Sequence, residues 1–390
     1  MNILHTTPTY WPAIRYGGPI ESVHRLAVAQ RKLGHDVHAV ATSVDGDGDL
    51  DVAIEQAVDV DGVDVRYARS AFLRRTYWSP GLARQVSALL PRADVLHLHS
   101  VFLWPTSKAA SLARRAGVPY VVSPRGMLVP ELIAERGAWR KRAWLALFEK
   151  RTLRGAAAIH VTSERERADL GRVGIEGLPR VVVVPNGVEL PDGSEDRPRD
   201  PESIVFLGRL SWKKRIDWAI RALASCPLAE LTIAGPDSEG LRASLDAVAR
   251  ECGVADRVGF LGQVDAAKRE ALLEHASLLV LPSVSENFGN VVVEALAHGC
   301  PVVVTPGVGA AEVVRDSGGG WVCDDDPAAF AQAVSRAMEY PSQARERGER
   351  GREHVEHSLT WPAVAARMVD LYRSLPGVAE RAAARMAAPT

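Results

Sequence analysis

Residues 277–298, SLLVLPSVSENFGNVVVEALAH, contain the pattern that decides the fold of this chain. An apolar run over 277–281 is followed by a polar loop and then, over 290–298, by apolar residues at helical spacing. An apolar run without polar alternation is typical of a strand that is buried on both faces of a parallel sheet. The stretch therefore predicts a strand–loop–helix unit of an α/β protein, with a ligand-binding loop at the carboxyl end of the strand.

The same unit recurs along the chain in two groups. In the second half, further strands are predicted at 203–208, 230–234, 257–261 and 301–304, with helices at about 215–224, 238–252 and 266–275. In the first half, strands are predicted at 2–6, 36–42, 94–98 and 118–123, with a helix over 20–34. Two groups of alternating strands and helices predict two doubly wound α/β domains.

A Pro-rich, charged segment separates the two groups. Residues 191–202, PDGSEDRPRDPE, have almost nothing to bury, as expected of a linker. We therefore predict a first domain over 1–190, a linker over 191–202 and a second domain over 203–357, followed by a helical segment over 358–390.

Composition excludes several classes of protein. Of the 390 residues, 47% are hydrophobic and 24% are charged, as in ordinary globular proteins. A net charge of -1 argues against a nucleic acid as the main partner. The four cysteines lack the spacing of a metal or disulfide framework, and no apolar run reaches the ~20 residues of a membrane-spanning helix. With an N-terminus unlike a signal peptide, these features predict a cytoplasmic protein, and they leave association with the inner face of a membrane open.

The loop and helix over 285–296 carry the strongest chemical signal. Glu286 and Glu294 stand eight residues apart, the first in the loop and the second inside the helix. Gly289 allows the backbone to approach a ligand closely, and the free N–H groups at the helix start favour an anion such as a diphosphate. The alternative is that Glu286 only caps the helix.

A second loop, after the strand 203–208, carries fixed cations. Gly208 permits a tight turn, and Arg209 and Lys214 follow just beyond the strand end. Two such cations suit a phosphate leaving group, whereas the alternative is a solvated basic loop.

Two weaker motifs lie in the first half. Gly17 and Gly18, between the first strand and the first helix, would let backbone N–H groups meet a phosphate, or they form a flexible turn. Alternation places His97 and His99 on one face of a strand end. A metal site is the alternative for this pair, but the sequence offers no third ligand at suitable spacing.

In order and spacing, these motifs resemble family 4 of the retaining glycosyltransferases (GT4). Glu286 and Glu294 match the family's E-x7-E motif, and Arg209 and Lys214 match its GR-x4-K phosphate clamp. Further matches are Gly17 and Gly18 to its glycine loop, His99 to its strand-end histidine, 185–188 (PNGV) to its pre-linker segment and 260–264 (FLGQV) to its nucleotide-facing strand end. The resemblance covers nearly the whole chain.

The resemblance implies the GT-B architecture, in which two Rossmann-like, doubly wound domains face each other across a cleft and a C-terminal helix crosses back to the N-terminal domain. It implies that the second domain holds a nucleotide-diphosphate sugar and that the first holds the acceptor. The donor-binding residues implied in this way are Gly17, Gly18, Gly208, Arg209, Lys214, Gly262, Gln263, Val264, Glu286, Asn287, Phe288, Gly289, Asn290, Val291 and Glu294.

The catalytic residues implied by the resemblance are Glu286, His99, Arg209 and Lys214. Fixed cations imply a reaction that needs no metal and no cofactor other than the donor substrate. The chain departs from the family pattern at Asn287 and Arg215, where many members have Gly, and at Arg125, where many members have His.

The acceptor side is indicated by aromatic residues and arginines near strand ends of the first half. Aromatic faces suit sugars and arginines suit phosphate or carboxylate, although ordinary packing is the alternative. The candidates are Tyr10, Trp11, Arg15, Tyr16, Phe102, Trp104 and Arg125. The segment 136–154 is basic and amphipathic, which predicts either contact with an anionic membrane or a helix packed on its own domain.

These observations predict a retaining glycosyltransferase. It would move a hexosyl group from a UDP- or GDP-sugar to a glycan or lipid-linked saccharide in cell-surface or extracellular polysaccharide biosynthesis. The alternatives are a nucleotide-sugar 2-epimerase of the same fold, a transferase acting on a small-molecule secondary metabolite, and a non-catalytic protein that binds sugar nucleotides.

Overall fold

The computed structural model describes residues 1–13, 15, 17–130, 143–191, 193 and 198–387. The chain divides into two compact units. The first unit comprises Met1–Gly187 and Trp361–Thr390, and the second unit comprises Val188–Thr360. Within the described ranges, every helix is too short or too polar to cross a membrane.

The first unit is built on an eight-stranded sheet. In spatial order its strands are β10 (Val181–Val183), β9 (Ala158–Val161), β8 (Tyr120–Ser123), β7 (Val95–His99), β1 (Asn2–Thr9), β2 (Asp36–Thr42), β6 (Val63–Ala68) and β5 (Ala57–Val60). Neighbouring strands are parallel except for the edge pair β5 and β6, which is antiparallel. A small hairpin, β3 (Val44–Asp45) and β4 (Gly48–Asp49), lies outside this sheet.

Helices cover the first sheet, and two of them come from the end of the chain. They are α1 (Gly18–Lys32), α2 (Pro80–Leu89), α3 (Trp104–Arg115), α4 (Lys150–Arg154), α5 (Glu164–Arg172), α13 (Trp361–Arg373) and α14 (Val378–Ala387). Apolar residues of α13 share a core with Ile3 and Leu26. In α14, Arg385 pairs with Asp94 at 2.9 Å. Both C-terminal helices therefore belong to the first unit.

The second unit is built on a six-stranded parallel sheet. In spatial order its strands are β13 (Val258–Gly262), β12 (Glu230–Ala234), β11 (Asp200–Leu207), β14 (Ala276–Leu281), β15 (Val302–Val304) and β16 (Gly320–Val322). Its helices are α6 (Ile216–Leu223), α7 (Arg242–Glu251), α8 (Ala266–His275), α9 (Asn290–Ala297), α10 (Ala311–Ser317), α11 (Pro327–Glu339) and α12 (Pro341–Ser358).

The predicted fold class, two Rossmann-like α/β sheets, is confirmed. Several bounds differ from the prediction by a few residues, and two of these differences have a clear physical reason. Strand β11 begins at Asp200, inside the predicted linker 191–202, because polar residues at a strand end pair in the ladder without being buried. The predicted helix 238–252 begins at Arg242, because the Asp237 carboxylate accepts hydrogen bonds from the N–H groups of Leu241 and Arg242 and fixes the start there.

Candidate active site

In each sheet there is one place from which successive strands are added first on one side and then on the other. In the second unit, β11 lies between β12 and β14, and in the first unit β1 lies between β2 and β7. In open α/β sheets, ligands bind outside the carboxyl ends of the strands at such a place. The loops that leave these ends carry the sequence motifs: 208–215 and 282–289 in the second unit, and 10–17 and 100–103 in the first.

The clamp lysine and the first carboxylate of E-x7-E meet in the second unit. Lys214 Nζ forms an ion pair with Glu286 Oε1, and the two side chains are 18% and 19% exposed. Ser283 Oγ donates to the same carboxylate oxygen at 3.2 Å. A Cβ atom built at Gly208 would lie 3.5 Å from Lys214 Nζ, at ordinary contact distance, so the ammonium lies directly against the strand end. The loops after β11 and β14 therefore form one charged site.

The remaining cations of the first loop have different surroundings. Arg209 is exposed at the strand end. Arg215 pairs with Asp325, and its guanidinium lies 4.3 Å from the centre of the Trp218 ring. Arg215, one of the departures from the family pattern, is thus held against its own unit by these contacts.

A third loop supports the carboxylate loop. The N–H of Glu286 donates to Gly307 O at 2.9 Å, and the N–H of Gly309 donates to Glu286 O at 3.2 Å. A Cβ atom at Gly307 would collide with Val284 O, and one at Gly309 would collide with Asn287 O. Both positions therefore require glycine. This loop was not predicted, although its signal, two glycines after an apolar strand, is visible in 305–310.

The start of α9 is the place where the sequence predicts that the donor diphosphate binds. Gly289 precedes it in the left-handed conformation, with φ of +90°, and Asn290 opens the helix. Glu294 lies one turn further, 3.6 Å from Arg269 Nη1. Phe288, predicted in the donor site, has its side chain buried in the core, so only its backbone can face a ligand.

Gly262, Gln263 and Val264 lie at the end of β13, the edge strand. Gly235 connects them to the charged site, because its N–H donates to Gly262 O at 2.7 Å. A Cβ atom at Gly235 would collide with the carbonyl oxygen of Gly208. The requirement for glycine at position 235 was not predicted, because it arises only when β11 and β12 lie side by side.

In the first unit, the glycine pair opens α1. Gly17 has φ of +75° and precedes the helix, which begins at Gly18. Gly17 is exposed, and a Cβ atom there would meet no atom within 4 Å, so backbone conformation and not crowding requires the glycine. The predicted acceptor residue Tyr16 lies outside the described residues.

His99 belongs to a chain of buried polar side chains in the first unit. Burial lowers the pKa of His160 to about 3 and holds that of His97 well below its usual value, so both rings are neutral and carry one N–H each. His160 Nε2 donates to Val184 O at 2.8 Å, so its Nδ1 accepts from Ser123 at 2.7 Å. Ser123 then accepts from His97 Nε2 at 2.6 Å, and His97 Nδ1 accepts from the hydroxyl of Tyr372 at 2.6 Å.

The series of hydrogen bonds continues from Tyr372 to Arg125, with donors and acceptors in the same order. The hydroxyl of Tyr372 accepts from Gln30 Nε2 at 3.3 Å, and Gln30 Oε1 accepts from His5 Nε2 at 2.8 Å. His5, whose pKa burial lowers to about 4, accepts through Nδ1 from His99 Nε2 at 2.9 Å. His99 Nδ1 therefore accepts from Arg125 Nη2 at 3.4 Å. Both ring nitrogens of His99 are engaged, so in this arrangement His99 holds Arg125 and offers no nitrogen to a sugar.

The same hydrogen bonds bear on the metal alternative. His5, His97 and His99 could together offer three ring nitrogens within 4.8 Å of one another. Every ring nitrogen of the three already has a hydrogen-bond partner, so a metal would have to break several of these bonds. Hydrogen bonding accounts for the cluster without a metal. The third histidine could not be predicted, because His5 reaches the pair only through strand pairing of β1 with β7.

The structure separates the acceptor candidates that precede α1. Tyr10 is fully buried and its hydroxyl contacts His24 Nδ1 at 3.1 Å, so the prediction that a sugar stacks on Tyr10 is wrong. A tyrosine near a strand end reads the same in sequence whether it points inward or outward. Trp11 is half-buried and stacks on His24. Arg15 is exposed and pairs with Asp45 at 2.8 Å.

The other acceptor candidates follow β7. Phe102 and Trp104 are half-buried, and Phe102 has a left-handed backbone with φ of +59°. The buried carboxylate of Glu149 holds this loop: it accepts from Phe102 N at 2.8 Å, Ser107 Oγ at 3.1 Å and Trp144 Nε1 at 3.0 Å. Burial raises the pKa of Glu149. Residues 136–142 of the basic segment 136–154 lie outside the described residues, and Glu149 ties the rest of it to the strand-end loop.

Comparison with known proteins identifies the family of the chain. Residues 192–354 match the family model of the glycosyl transferases group 1, and residues 17–187 match that of the glycosyl transferase 4-like domain. The D-inositol 3-phosphate glycosyltransferase of Xylanimonas cellulosilytica is 30% identical over 301 residues, which cover 72% of this chain and 71% of that protein.

Two solved structures share the fold. Sucrose-phosphate synthase from Thermosynechococcus elongatus has a TM-score of 0.74 at 22% identity, covering 96% of this chain and 98% of its own. Anabaena HepE, solved in complex with UDP-glucose, has a TM-score of 0.68 at 19% identity, covering 96% and 100%. Matched across nearly its whole length, the chain belongs to family 4 of the glycosyltransferases, enzymes of the GT-B fold that use a nucleotide-sugar donor.

Proposed function

We propose that this enzyme transfers a hexosyl group from a UDP- or GDP-sugar, with retention of anomeric configuration, to a glycan or lipid-linked saccharide that becomes part of a cell-surface or extracellular polysaccharide. The observation that carries the proposal is the ion pair between Lys214 and Glu286. It joins the cation predicted to hold the donor diphosphate to the carboxylate predicted to hold the donor sugar. The UDP-glucose bound to Anabaena HepE supports a uridine donor.

Each charged or polar group at the strand ends of the second unit has a proposed role in binding the donor. Arg209 and Lys214 neutralise the diphosphate, the N–H groups at the start of α9 bind it, and Glu294 accepts hydrogen bonds from the ribose hydroxyls. When the diphosphate takes Lys214, Glu286 is released to bind the sugar hydroxyls. Gly17 and Gly18 remain a prediction for further phosphate contacts.

Retention follows if the incoming and departing groups share one face of the sugar. The bond from the anomeric carbon to the phosphate oxygen breaks, and a bond from that carbon to the acceptor oxygen forms. The acceptor hydroxyl gives its proton to the departing phosphate oxygen. The fixed cations stabilise the charge on that oxygen as the bond breaks.

A donor and acceptor screen tests the proposal. We expect UDP- or GDP-sugars to give a glycosylated product, detected by mass spectrometry, with saccharide acceptors, and we expect ¹H NMR to show a retained anomer. Because the Xylanimonas relative is named for D-inositol 3-phosphate, inositol phosphate belongs in the panel, beside hydroxylated small metabolites. An epimerised sugar nucleotide formed from the donor alone would favour the 2-epimerase, and donor binding without any product would favour a non-catalytic role.

The same assay tests metal independence. We propose that Arg209 and Lys214 replace a divalent cation at the diphosphate. Adding EDTA is therefore expected to leave the rate of transfer unchanged. Loss of activity in EDTA, restored by Mg²⁺ or Mn²⁺, would show that a metal carries the leaving-group charge.

We also propose peripheral contact with an anionic membrane through the described part of the basic segment. Leu147 and Phe148 are 69% and 46% exposed, and the cations Arg151 and Arg154 are exposed beside them. Exposed apolar residues next to cations are typical of segments that lie in a lipid interface. A lipid-linked acceptor would be presented at such a surface.

Vesicle sedimentation tests this contact. The protein is expected to bind vesicles that contain phosphatidylglycerol, less strongly as salt rises, and not pure phosphatidylcholine vesicles. The double variant Leu147→Glu, Phe148→Glu should lose most of the binding. The control variant Leu228→Glu changes a leucine that is 74% exposed in the second unit, and it should bind as the wild type does. Equal binding by all three proteins would rule out this surface.

A further inference from the structure

Arg125 has a buried positive charge. The residue is only 9% exposed and follows the end of β8. Its Nη1 donates to Asn186 Oδ1 at 3.0 Å and its Nη2 to His99 Nδ1 at 3.4 Å, and both partners are neutral. Its Nε has no hydrogen-bond partner among the residues that the structure describes. Within the described ranges, no carboxylate forms an ion pair with this guanidinium.

Glu166 is the acidic side chain whose field reaches Arg125. Its two oxygens are already occupied, because one accepts from Gly126 N at 2.6 Å and the other accepts from Thr162 N at 2.8 Å and Thr162 Oγ1 at 2.9 Å. Burial raises the pKa of Glu166. This carboxylate therefore anchors the backbone near Arg125 and does not bond to the guanidinium.

The chain of hydrogen-bonded side chains behind Arg125 supplies no negative charge. Its three remaining imidazoles, at His5, His97 and His160, are neutral, and burial raises the pKa of Tyr372, which keeps its proton. The donor of each hydrogen bond in this series of side chains is assigned, and Arg125 is the first donor of the series. The chain thus orients the guanidinium without adding a negative charge beside it.

A buried charge is costly unless an opposite charge binds it. Arg125 has a left-handed backbone, with φ of +57°, a conformation that is uncommon for a side chain of this size and that clusters at functional sites. One hydrogen remains on each terminal nitrogen of the guanidinium, and a phosphate or carboxylate matches that geometry. Arg125 lies beyond the carboxyl end of β8, at the same end of the sheet as the loop that follows the neighbouring parallel strand β7.

We propose that Arg125 is the anion-binding residue of the acceptor site, and that the acceptor carries a phosphate ester or a carboxylate on its sugar. The inference rests on the proposed function, because it assigns the charge of the acceptor in that reaction. The recognition is electrostatic, so an uncharged sugar of the same shape binds more weakly. His99 and Asn186 are positioning residues for Arg125.

Isothermal titration calorimetry on the full chain tests the proposal with defined probes. Glucose 6-phosphate and glucuronate are expected to bind at least about ten-fold more tightly than glucose, corresponding to one charge-assisted pair. Glucose 6-phosphate should also bind more tightly than inorganic phosphate. Equal binding of glucose and the two charged sugars would overturn the proposal, and so would inorganic phosphate binding as tightly as glucose 6-phosphate.

Variants separate binding from folding. Asn186→Asp places a carboxylate at 3.0 Å from Arg125 Nη1, so it should raise Tm and abolish the preference for charged sugars. Arg125→Met should abolish the same preference. Arg66→Met is the matched control, since Arg66 is a partly buried arginine of the first unit beside Asp64, and it should keep the preference. Charged-sugar preference retained in Asn186→Asp would contradict the assignment.

UDP binding distinguishes this inference from the proposed function. UDP affinity should be the same in the wild type, Asn186→Asp and Arg125→Met proteins. If it falls with Arg125 while sugar binding is unaffected, the anion is the donor diphosphate and the acceptor assignment is wrong. A protein that prefers charged sugars through Arg125 but yields no transfer product would refute the proposed function and leave the anion site standing.

Discussion

Replacing Lys214 with methionine is expected to lower kcat for sugar transfer by about 10²–10³-fold, the loss typical for removal of one group that stabilises developing negative charge. The ammonium forms an ion pair with Glu286 in a partly buried site, so its charge is screened less than that of a surface lysine. Because the leaving-group charge develops as the bond breaks, the loss should appear mainly in kcat and less in the KM for the donor.

The adjacent lysine provides the control. Lys213 lies with its ammonium 5.5 Å from the centre of the Trp212 ring. Lys213→Met removes the same charge and side-chain length from the same loop, and it should change kcat by less than about two-fold, as expected of a half-exposed surface charge. Steady-state kinetics with the donor found in the screen measures both variants. Equal losses in the two variants, or a small loss in Lys214→Met, would contradict the clamp assignment.

Acidification is expected to destabilise the first unit steeply below pH 6.5. His5, His97, His99 and His160 are buried, and desolvation lowers their pKa values in the folded state, to about 4 for His5 and about 3 for His160. Between pH 6.5 and these values, the unfolded chain binds protons that the folded chain does not. As the pH is lowered, the free energy of unfolding therefore decreases by roughly 1.4 kcal/mol per pH unit for each histidine.

Two buried carboxylates act in the opposite direction. Burial raises the pKa values of Glu149 and Glu166, so the folded state takes up these protons before the unfolded state does. Their contribution partly offsets that of the four histidines. The net prediction is a loss of stability as pH falls towards about 4, because the lowered groups outnumber the raised ones.

Calorimetry from about pH 7.5 to about pH 4.5 measures this loss as a falling Tm. His5→Gln keeps a hydrogen-bond donor and an acceptor but removes one titrating group, so it should reduce the pH dependence of the first unit's transition. His357→Gln, at an exposed position of α12 in the second unit, should leave that transition unchanged. A Tm for the first unit that does not change over this range would contradict the neutral hydrogen-bond chain.

Much of the fold was predictable because its signal is local. Strands such as β14 and β15 are buried on both faces, so their burial shows as an apolar run within a few residues. Residues that line a strand end, such as Arg209 and Glu286, were predictable for the same reason. Their motifs sit directly after those runs, and parallel strands bring their carboxyl ends to one edge.

The errors and omissions arose where neighbours come from distant parts of the chain. Tyr10 packs inward against residues from β2 and β6. Gly235 is needed only because β11 passes beside β12, and Tyr372 reaches His97 from α13. No local pattern encodes these contacts, because each depends on which element lies next to it in space.

The sequence by itself determined the family, the two α/β sheets and the charged residues that follow the strands of the second unit, because burial periodicity and motif spacing are properties of the chain. Only the tertiary structure decided that Lys214 pairs with Glu286, that His99 is a neutral ring engaged at both nitrogens, and that Arg125 is buried without a carboxylate bonded to it among the described residues. A hydrogen-bond direction, or a buried charge with no carboxylate bonded to it, is set by neighbours from several strands and helices, so it exists only in the folded protein.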